Sequence, residues 1–285
     1  MDGSTLSNSR RSGPSAASTR VVDVIIPVYS GLAEVRACLE SLLSSRSELQ
    51  GEVIVINDCS PEPAIAEFLR RLERDSGITL LENDENLGFV KSCNRAAALR
   101  PDNDFILLNA DTEVHGNWLD RMVAHADTAS DIASITPFSN NATIANYPRE
   151  GARRETPADI RVAQIDEAMS SANAGESVHL PTAVGFCMWV SRAAWHEVGG
   201  FDERFGRGYG EEVEFCMATA ANGWRHLLAC DVFVYHAGGT SFGYESEQLK
   251  VEAQQIIDDR YPQFPDLVQD WIREDPALDA RVRCD

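Results

Sequence analysis

The chain has 285 residues, of which 44% are hydrophobic and 25% are charged; this is a globular composition, and the length suffices to bury a full core. The formal charge of −20 argues against nucleic acid as a partner, and an anionic ligand would need local basic groups, helix N-termini or a divalent cation. No apolar run approaches the ~20 residues of a membrane span, no secretory signal opens the chain, and the 7 scattered cysteines lack C-x-x-C spacing, so we expect a cytoplasmic location.

Strands and helices alternate in the first half of the chain. Residues 1–20 are rich in Ser, Gly and Arg and are predicted to form a disordered tail. Apolar and β-branched runs predict strands at 21–28, 52–56, 78–81 and 105–108, with amphipathic helices between them. This alternation predicts an α/β fold with a mostly parallel sheet flanked by helices, and the lack of a repeat or clear linker predicts a single domain.

Polar residues follow each of these four predicted strands. Tyr29, Asp58, Asn86 and Asp111 all stand at the same kind of position, directly after a strand. Ligands of open α/β sheets bind beyond the carboxyl ends of the strands, so the four residues are expected to share one ligand-binding rim. Taken singly, each is equally compatible with an ordinary turn or a helix cap.

The second half of the chain is less regular. Its predicted elements are strands at 132–137, 183–190 and 227–235, a helix at 159–172, and an acidic helical C-terminal extension at 246–285. A glycine-rich passage leads into Glu211-Glu212 at a predicted helix start, where acidic side chains also suit the helix dipole. The polar loop Ser139-Asn140-Asn141 is compatible either with bonds to sugar hydroxyls or with a capped turn.

Several nucleotide-binding motifs are absent. The loop after the first strand, Pro27-Val28-Tyr29-Ser30-Gly31, is neither the G-x-G-x-x-G of a dinucleotide-binding fold nor the basic, glycine-rich loop of a nucleotidyltransferase. The chain also has no G-x-x-x-x-G-K-[ST]. A dehydrogenase and a P-loop enzyme are therefore not expected.

Six motifs lie in order between residues 21 and 245. They are Ile25-Ile26-Pro27-Val28-Tyr29, Asn57-Asp58-Cys59-Ser60, Asn86-Leu87-Gly88-Phe89 with Asn94, Asn109-Ala110-Asp111, Gly199-Gly200-Phe201-Asp202, and Gly210-Glu211-Glu212 followed by His236. In order and spacing they resemble the motifs of family 2 glycosyltransferases. The resemblance implies a GT-A fold with a Rossmann-like sheet, divided into a nucleotide-binding half at 21–115 and an acceptor and catalytic half at 116–245. It also implies an inverting enzyme that uses a nucleotide-diphosphate sugar and a divalent metal.

The resemblance assigns the nucleotide to seven residues at the strand ends: Pro27, Tyr29, Asp58, Asn86, Gly88, Asn109 and Ala110. In this assignment the Asp58 carboxylate accepts a hydrogen bond from a uracil or thymine N–H, which favours a UDP- or dTDP-sugar. Gly88 would allow the backbone to approach the base and ribose closely.

The same resemblance implies a site for Mn²⁺ or Mg²⁺. Asp111 takes the last place of the family's D-x-D motif, whereas Asn109 replaces its first aspartate and lowers the charge of the site. His236 would complete the metal site and favours Mn²⁺; the alternative is a strand-end histidine that bonds to the backbone. Thr240 and Ser241 would bind phosphate oxygens near the metal.

The catalytic base is expected at the Glu-Glu pair, where the family has Glu-Asp. Glu212 is favoured and Glu211 is the alternative, since either longer side chain can reach the acceptor hydroxyl and remove its proton. Trp189, Phe201 and Asp202 are expected to wall the sugar and acceptor sites. Trp189 is equally compatible with a place in the core.

The sequence thus predicts an inverting glycosyltransferase that extends a bacterial-type glycan by transfer to a hydroxyl of a glycan or lipid-linked acceptor. The Asn109 and Glu-Glu departures motivate an alternative, a non-catalytic nucleotide-sugar-binding subunit or scaffold. A lipid-linked acceptor would bring the enzyme to the inner face of the membrane, although no basic amphipathic helix marks a docking surface. The acidic C-terminal helices are also compatible with packing against a second copy in a homodimer.

Overall fold

The fold is built on an eight-stranded sheet, as described in a computed structural model for residues 20–45, 47–149, 162–238 and 245–285. The strands are β1 Val22–Val28, β2 Gln50–Asn57, β3 Thr79–Glu82, β4 Asp104–Leu108, β5 Thr112–Glu113, β6 Ile132–Phe138, β7 Ser177–Leu180, β8 Cys187–Val190, β9 Arg225–Phe233 and β10 Tyr235–His236. The sheet order is β3-β2-β1-β4-β8-β6-β9-β7, and β5 pairs with β10 in a separate two-stranded ribbon. The predicted tail lies outside the described residues, apart from Arg20.

The helices pack on both faces of this sheet. They are α1 Leu32–Ser44, α2 Pro63–Ser76, α3 Phe89–Ala97, α4 Trp118–Ala126, α5 Val162–Ala172, α6 Arg192–Val198, α7 Glu211–Ala221, α8 Glu245–Arg260, α9 Phe264–Glu274 and α10 Leu278–Val282. Successive residues of β1 show the two faces: Val24 and Ile26 belong to one hydrophobic cluster, and Ile25 belongs to the other. Burial on both faces explains why the strand is a continuous apolar run rather than an alternating one.

The parallel core of the sheet agrees with the predicted architecture. β3, β2, β1 and β4 run parallel as neighbours, and β6 runs parallel to β9. β8 is antiparallel to both β4 and β6, and β7 is antiparallel to β9. The mixed α/β fold with a mostly parallel central sheet is therefore confirmed.

The predicted strand at 183–190 is shorter in the structure. Only Cys187–Val190 pair as β8, because the backbone N–H groups of Ala183 and Val184 bond to side chains of Cys216 and Thr136 instead of to a neighbouring strand. Residues 183–186 consequently form a loop at the carboxyl edge of β4. Ala183 and Val184 of this loop line the second cavity described below.

The C-terminal extension is helical, as its composition predicts. Ala253 and Ile257 of α8 join one hydrophobic cluster, and Ala277 and Ala280 join the other, so the extension packs on both sides of the sheet. Within the described ranges, no helix has the length and apolarity needed to cross a membrane.

Candidate active site

A polar cleft lies at the carboxyl ends of β1, β2 and β4. Because these strands are parallel neighbours, the loops that follow them meet at one edge of the sheet. The cleft is lined by Pro27, Val28, Tyr29, Ser30, Asp58, Asn86, Gly88, Phe89, Asn109, Ala110 and Asp111. All seven residues assigned to the nucleotide by resemblance therefore share one cleft with the expected metal ligand Asp111.

Asp58 organises one wall of this cleft. Its Oδ1 accepts hydrogen bonds from the Leu87 N–H at 2.8 Å and from the Asn83 side-chain amide at 2.7 Å, and its Oδ2 accepts from the Gly88 N–H at 2.8 Å. A carboxylate offers about four lone-pair sites, so three bonds leave one for a ligand. The buried carboxylate thus fixes the loop at 83–88 and keeps one acceptor position available.

Gly88 stands where two loops touch. Its φ is +83°, and a Cβ added there would lie 2.7 Å from the Arg207 Cα, inside contact distance. The Arg207 carbonyl accepts a hydrogen bond from the Phe89 N–H at 3.2 Å. Only glycine satisfies this backbone angle and this spacing together, so Gly88 joins the cleft to the loop that precedes α7.

Asp111 and His236 meet across the β5–β10 ribbon. His236 pairs with Thr112, and the Ala237 N–H donates to the Asp111 carbonyl at 3.0 Å. These backbone bonds place His236 Nε2 3.4 Å from Asp111 Oδ1. The ribbon brings the two expected metal ligands to the same point.

Side chains and carbonyls around His236 fix its ring and its tautomer. The Nδ1 lies 2.8 Å from the carbonyl oxygen of Asn141, which can only accept, so Nδ1 carries a proton and Nε2 is the nitrogen that faces Asp111. The Asn140 side chain bonds to both the N–H and the carbonyl of His236, each at 2.9 Å. The Phe186 ring stacks on the imidazole with centroids 5.3 Å apart. Burial alone would lower the pKa of His236, but the hydrogen bond and charge of Asp111 outweigh it and raise the pKa.

Asp111 and His236 suit a divalent metal to which the protein supplies only a few ligands. An imidazole whose other nitrogen donates to a carbonyl is oriented as metal-bound histidines are, and a carboxylate supplies the second donor. In the part of the chain that the structure describes, no group of three or more His, Cys, Asp or Glu side chains is arranged to hold a metal. Asp111 and His236 would therefore share the ion with ligand oxygens or water.

Two buried carboxylates begin α7. Glu211 is 5% exposed, and the Oε2 atoms of both Glu211 and Glu212 lack a hydrogen-bond partner among the described residues. Burial raises the pKa of Glu211 well above its ordinary value, and the Glu212 carboxylate adds to the rise. Burial also raises the pKa of Glu212, although N–H groups at the start of the helix oppose it. Buried carboxylates without partners are costly, and such groups are concentrated at functional sites.

The two glutamates face different surroundings. A Cβ built on Gly185 would lie 3.8 Å from the Glu212 Cδ, so Glu212 borders the loop at 183–186. Phe186 of this loop stacks on His236. Glu212 also lines a second cavity, on the side of α9. Glu211 instead adds to the rise in the pKa of Cys93 in α3, so it lies on that helix's side of α7. Glu212 is thus the glutamate that lies between the Phe186 loop and the second cavity.

Of the three residues expected to wall the sugar and acceptor sites, Trp189 takes its alternative place in the core and Phe201 is buried, whereas Asp202 is partly exposed and its role stays a prediction. Trp189 is 1% exposed within β8, paired with Ile106 and Ile135, and belongs to the core. Phe201 is 3% exposed, and its backbone is clamped to α3 by the Asn94 side chain, which bonds to its N–H and its carbonyl. Asp202 accepts from the Arg204 N–H and pairs with Arg260 at 3.1 Å, so it holds the end of α8. Thr240 and Ser241 lie outside the described residues.

The residues that support His236 were not predicted as a group. The loop Ser139-Asn140-Asn141 was expected to bond sugar hydroxyls or to form a capped turn. The Asn140 side chain and the Asn141 carbonyl bond to His236, and the Ser139 hydroxyl accepts from the Asn141 N–H as in a capped turn. Phe186 had no assigned role, although an aromatic residue directly after Gly185 and before a strand was a visible signal. These contacts depend on the packing of β6, β8 and β10, which local sequence does not specify.

Comparison with known proteins identifies the fold. The family model for Glycosyl transferase family 2 matches residues 23–199. An uncharacterized glycosyltransferase of Haemophilus influenzae is 24% identical over 118 residues, which is 41% of this chain and 36% of the relative; the match thus spans about a third of that protein.

Solved structures share the architecture at low identity. GalNAc-T7 with UDP, GalNAc and Mn²⁺ superposes with a TM-score of 0.63 at 18% identity, over 83% of this chain and 48% of that one. Staphylococcus aureus TarS (residues 1–349) with UDP-GlcNAc gives 0.59 at 14% identity, over 83% and 65%. The mannosyltransferase PcManGT of Pyrobaculum calidifontis with GDP-Man and Mn²⁺ gives 0.56 at 19% identity, over 81% and 60%. The shared fold is GT-A, and the family match covers more than half of the chain. The chain therefore belongs to glycosyl transferase family 2.

Proposed function

We infer that this chain is an inverting glycosyltransferase that moves a sugar from a nucleotide-diphosphate donor to a hydroxyl group of a glycan or lipid-linked acceptor. One observation carries the proposal. A single edge of the sheet gathers a polar cleft, the Asp111–His236 pair and Glu212, whose Oε2 has no hydrogen-bond partner among the described residues. Solved structures of the same fold hold UDP, UDP-GlcNAc or GDP-Man, which supports a nucleotide donor.

The cleft would hold the nucleoside. The remaining lone pair of Asp58 would accept the ring N–H of uracil or thymine. Tyr29 and Asn86 border the same space, and the bare backbone at Gly88 leaves room for the ribose. A UDP- or dTDP-sugar is therefore the proposed donor.

Asp111 and His236 would hold Mn²⁺ or Mg²⁺ beside the donor phosphates. When bound, the divalent cation would offset the negative charge that builds on the leaving diphosphate. The Nε2 of His236, which would give up any proton on binding the ion, and the carboxylate of Asp111 are the donors that the protein offers, and Asn109 lines the same cleft as Asp111. A local cation also reconciles an anionic donor with a protein of formal charge −20.

Glu212 would act as the general base. Its carboxylate takes the proton from the acceptor hydroxyl while that oxygen bonds to the anomeric carbon, from the face opposite the leaving group. The bond between the anomeric carbon and the phosphate oxygen breaks, and the nucleoside diphosphate leaves with that electron pair. A raised pKa makes the carboxylate a stronger base than an exposed glutamate, which suits proton transfer near neutral pH.

A thermal-shift screen of nucleotide sugars, with and without Mn²⁺, tests the donor assignment. We expect a uridine or thymidine diphosphate sugar to raise the melting temperature in a Mn²⁺-dependent manner, because it binds only the folded protein. The Asp111→Ala variant should lose the Mn²⁺ dependence. If no nucleotide sugar shifts the melting temperature, the proposal is wrong; binding without turnover of any donor would favour the alternative, a non-catalytic nucleotide-sugar-binding subunit.

A further inference from the structure

A second cavity of about 370 Å³ lies between the start of α7 and the C-terminal helix α9. Its lining residues are Thr143, Ile144, Asn146, Arg149, Thr182, Ala183, Val184, Glu212, Val213, Phe264, Val268, Trp271, Ile272, Asp275 and Arg281. The volume is within the roughly 300–1,000 Å³ of small-molecule sites. The family match ends at residue 199, so the α9 wall belongs to a part of the chain that the match does not cover.

The apolar face of α9 lines this cavity and is only partly packed. Phe264, Val268, Trp271 and Ile272 lie at helical spacing and all line the cavity. Phe264, Val268 and Trp271 also touch the core, yet no residue of α9 is fully buried. The helix is held at its edges instead: the Trp271 indole N–H donates to the His179 carbonyl at 2.6 Å, and Asp275 after its end pairs with Arg281. An apolar face over empty space lacks the dispersion contacts that a bound apolar group would restore.

The ionic groups of the cavity walls balance: the guanidinium groups of Arg149 and Arg281 are matched by the carboxylates of Asp275 and Glu212. Asp275 pairs with Arg281 and lies 3.2 Å from the Arg149 guanidinium, so the walls offer no concentrated positive charge for an anionic ligand. Glu212 stands at the other side with its buried, unpartnered Oε2. A ligand that fits would present a hydroxyl to Glu212 and an uncharged apolar part to α9.

The C-terminal extension exposes apolar side chains, and one of them borders the cavity. Among the described residues, five of the seven exposed large apolar side chains belong to the extension: Val251, Leu267, Ile272, Leu278 and Val282. Ile272 is 45% exposed and also lines the cavity, so apolar surface reaches from the cavity wall to its mouth. A chain longer than the cavity would therefore contact Ile272 where it leaves.

We propose that this cavity is the acceptor site, and that its occupant is a glycoside with an uncharged alkyl or isoprenoid chain lying against α9. The proposal rests on the transfer reaction inferred above and names the class of its acceptor. The acceptor hydroxyl lies at Glu212, and Val268 and Ile272 select the apolar aglycone. Free sugars, which offer α9 nothing to contact, are then poor acceptors.

The test compares matched acceptors and matched variants. The probes are n-octyl glycosides of glucose, galactose, N-acetylglucosamine and rhamnose, below their micelle concentrations, each beside its methyl glycoside, with the donor found by the thermal-shift screen. Wild-type enzyme is expected to prefer at least one octyl glycoside by tenfold or more in kcat/KM. Ile272→Asp, which places a charge on the cavity wall at an exposed position, and Val268→Trp, which fills the cavity, should each remove that preference. Leu267→Trp, on the outer part of the same helix, should keep it.

The outcomes separate the two proposals. Equal rates with octyl and methyl glycosides, or an octyl preference that survives Ile272→Asp, would overturn the acceptor assignment while leaving the transferase intact. A protein that neither binds nor hydrolyses any nucleotide sugar would overturn the transferase itself, and the acceptor assignment with it. Donor affinity, measured by calorimetry, verifies that each variant is folded.

Discussion

His236 Nε2 lies 3.4 Å from Asp111 Oδ1, and the proton on Nδ1 of the same ring is committed to the Asn141 carbonyl. The carboxylate comes from the turn after β4, and the imidazole comes from the end of the ribbon strand β10. Their meeting depends on the backbone pairing of β5 with β10. The protein therefore holds the pair as the proposed metal site requires, because the Asn141 carbonyl fixes the proton on Nδ1 of the histidine.

The Asn140 side chain supports this unit, and its removal is expected to weaken metal binding. Asn140→Ala removes both hydrogen bonds to the His236 backbone, so we expect Mn²⁺ affinity to fall roughly 10–100-fold, as for other residues that position metal ligands. Calorimetric titration of Mn²⁺ in the presence of UDP measures the effect. Asn141→Ala is the matched control, because the acceptor for His236 Nδ1 is the backbone carbonyl, which this substitution keeps. Equal losses in both variants would contradict the role of Asn140.

Gly88→Ala is expected to be strongly destabilising. The new Cβ meets the Arg207 Cα at 2.7 Å in a backbone region that only glycine adopts freely, and we expect a loss of roughly 2–5 kcal/mol in the free energy of unfolding. Gly77→Ala separates the two causes, since Gly77 has a φ of +70° but nothing within 4 Å of its added Cβ. Urea unfolding of both variants provides the comparison. A Gly88→Ala variant no less stable than Gly77→Ala would show that the two loops do not touch.

Asp58→Asn is expected to loosen the loop at 83–88. The substitution replaces one carboxylate oxygen with an NH₂ group, which cannot accept from the N–H donors around Asp58. At least one of the three hydrogen bonds is therefore lost. Hydrogen exchange at the Leu87 and Gly88 amides should become faster, and affinity for UDP should fall tenfold or more. Asp84→Asn, an exposed position in the same loop, changes the net charge equally and should leave both measurements near the wild-type values.

Glu211→Gln is expected to stabilise the protein at neutral pH. Because burial raises the pKa of Glu211 above the ordinary value of 4.5, the folded state binds the proton more tightly than the unfolded state does. The stability that Glu211 contributes is thus present below pH 4.5 and is lost as pH rises through the raised value. The variant should melt a few degrees higher than wild type at pH 7.5. The difference should shrink toward pH 4.5, whereas the exposed Glu203→Gln should show no such pH dependence.

Much of the polar cleft at the strand ends was predictable because it depends on local sequence patterns. Buried parallel strands are readable as apolar runs, and parallel neighbours place the residues that follow them at one edge. Tyr29, Asp58, Asn86 and Asp111 therefore lie together as expected. The identity of the residues after each strand, rather than any detailed packing, carried the information.

The remainder depends on contacts between distant segments. The sequence motif around Phe201 was interpreted as a sugar wall, whereas Asn94 clamps its backbone and the ring is buried. The clamp on His236 requires the register of β5 with β10, and the cavity at Glu212 requires the position of α9. Neither is encoded in periodicity or in motif spacing, so neither was predictable from the chain alone.

Glu212 is proposed to activate an acceptor for inverting transfer, and proton NMR of the reaction tests this role most directly. Wild type and Glu212→Gln are incubated with Mn²⁺, an α-linked nucleotide sugar that shifts the melting temperature, and an acceptor. We expect a β-linked product from wild type and a rate roughly 10²–10⁴-fold lower from the variant, with donor affinity within a few-fold of wild type. An α-linked product, or transfer by Glu212→Gln at the wild-type rate, would contradict inverting transfer with Glu212 as the base.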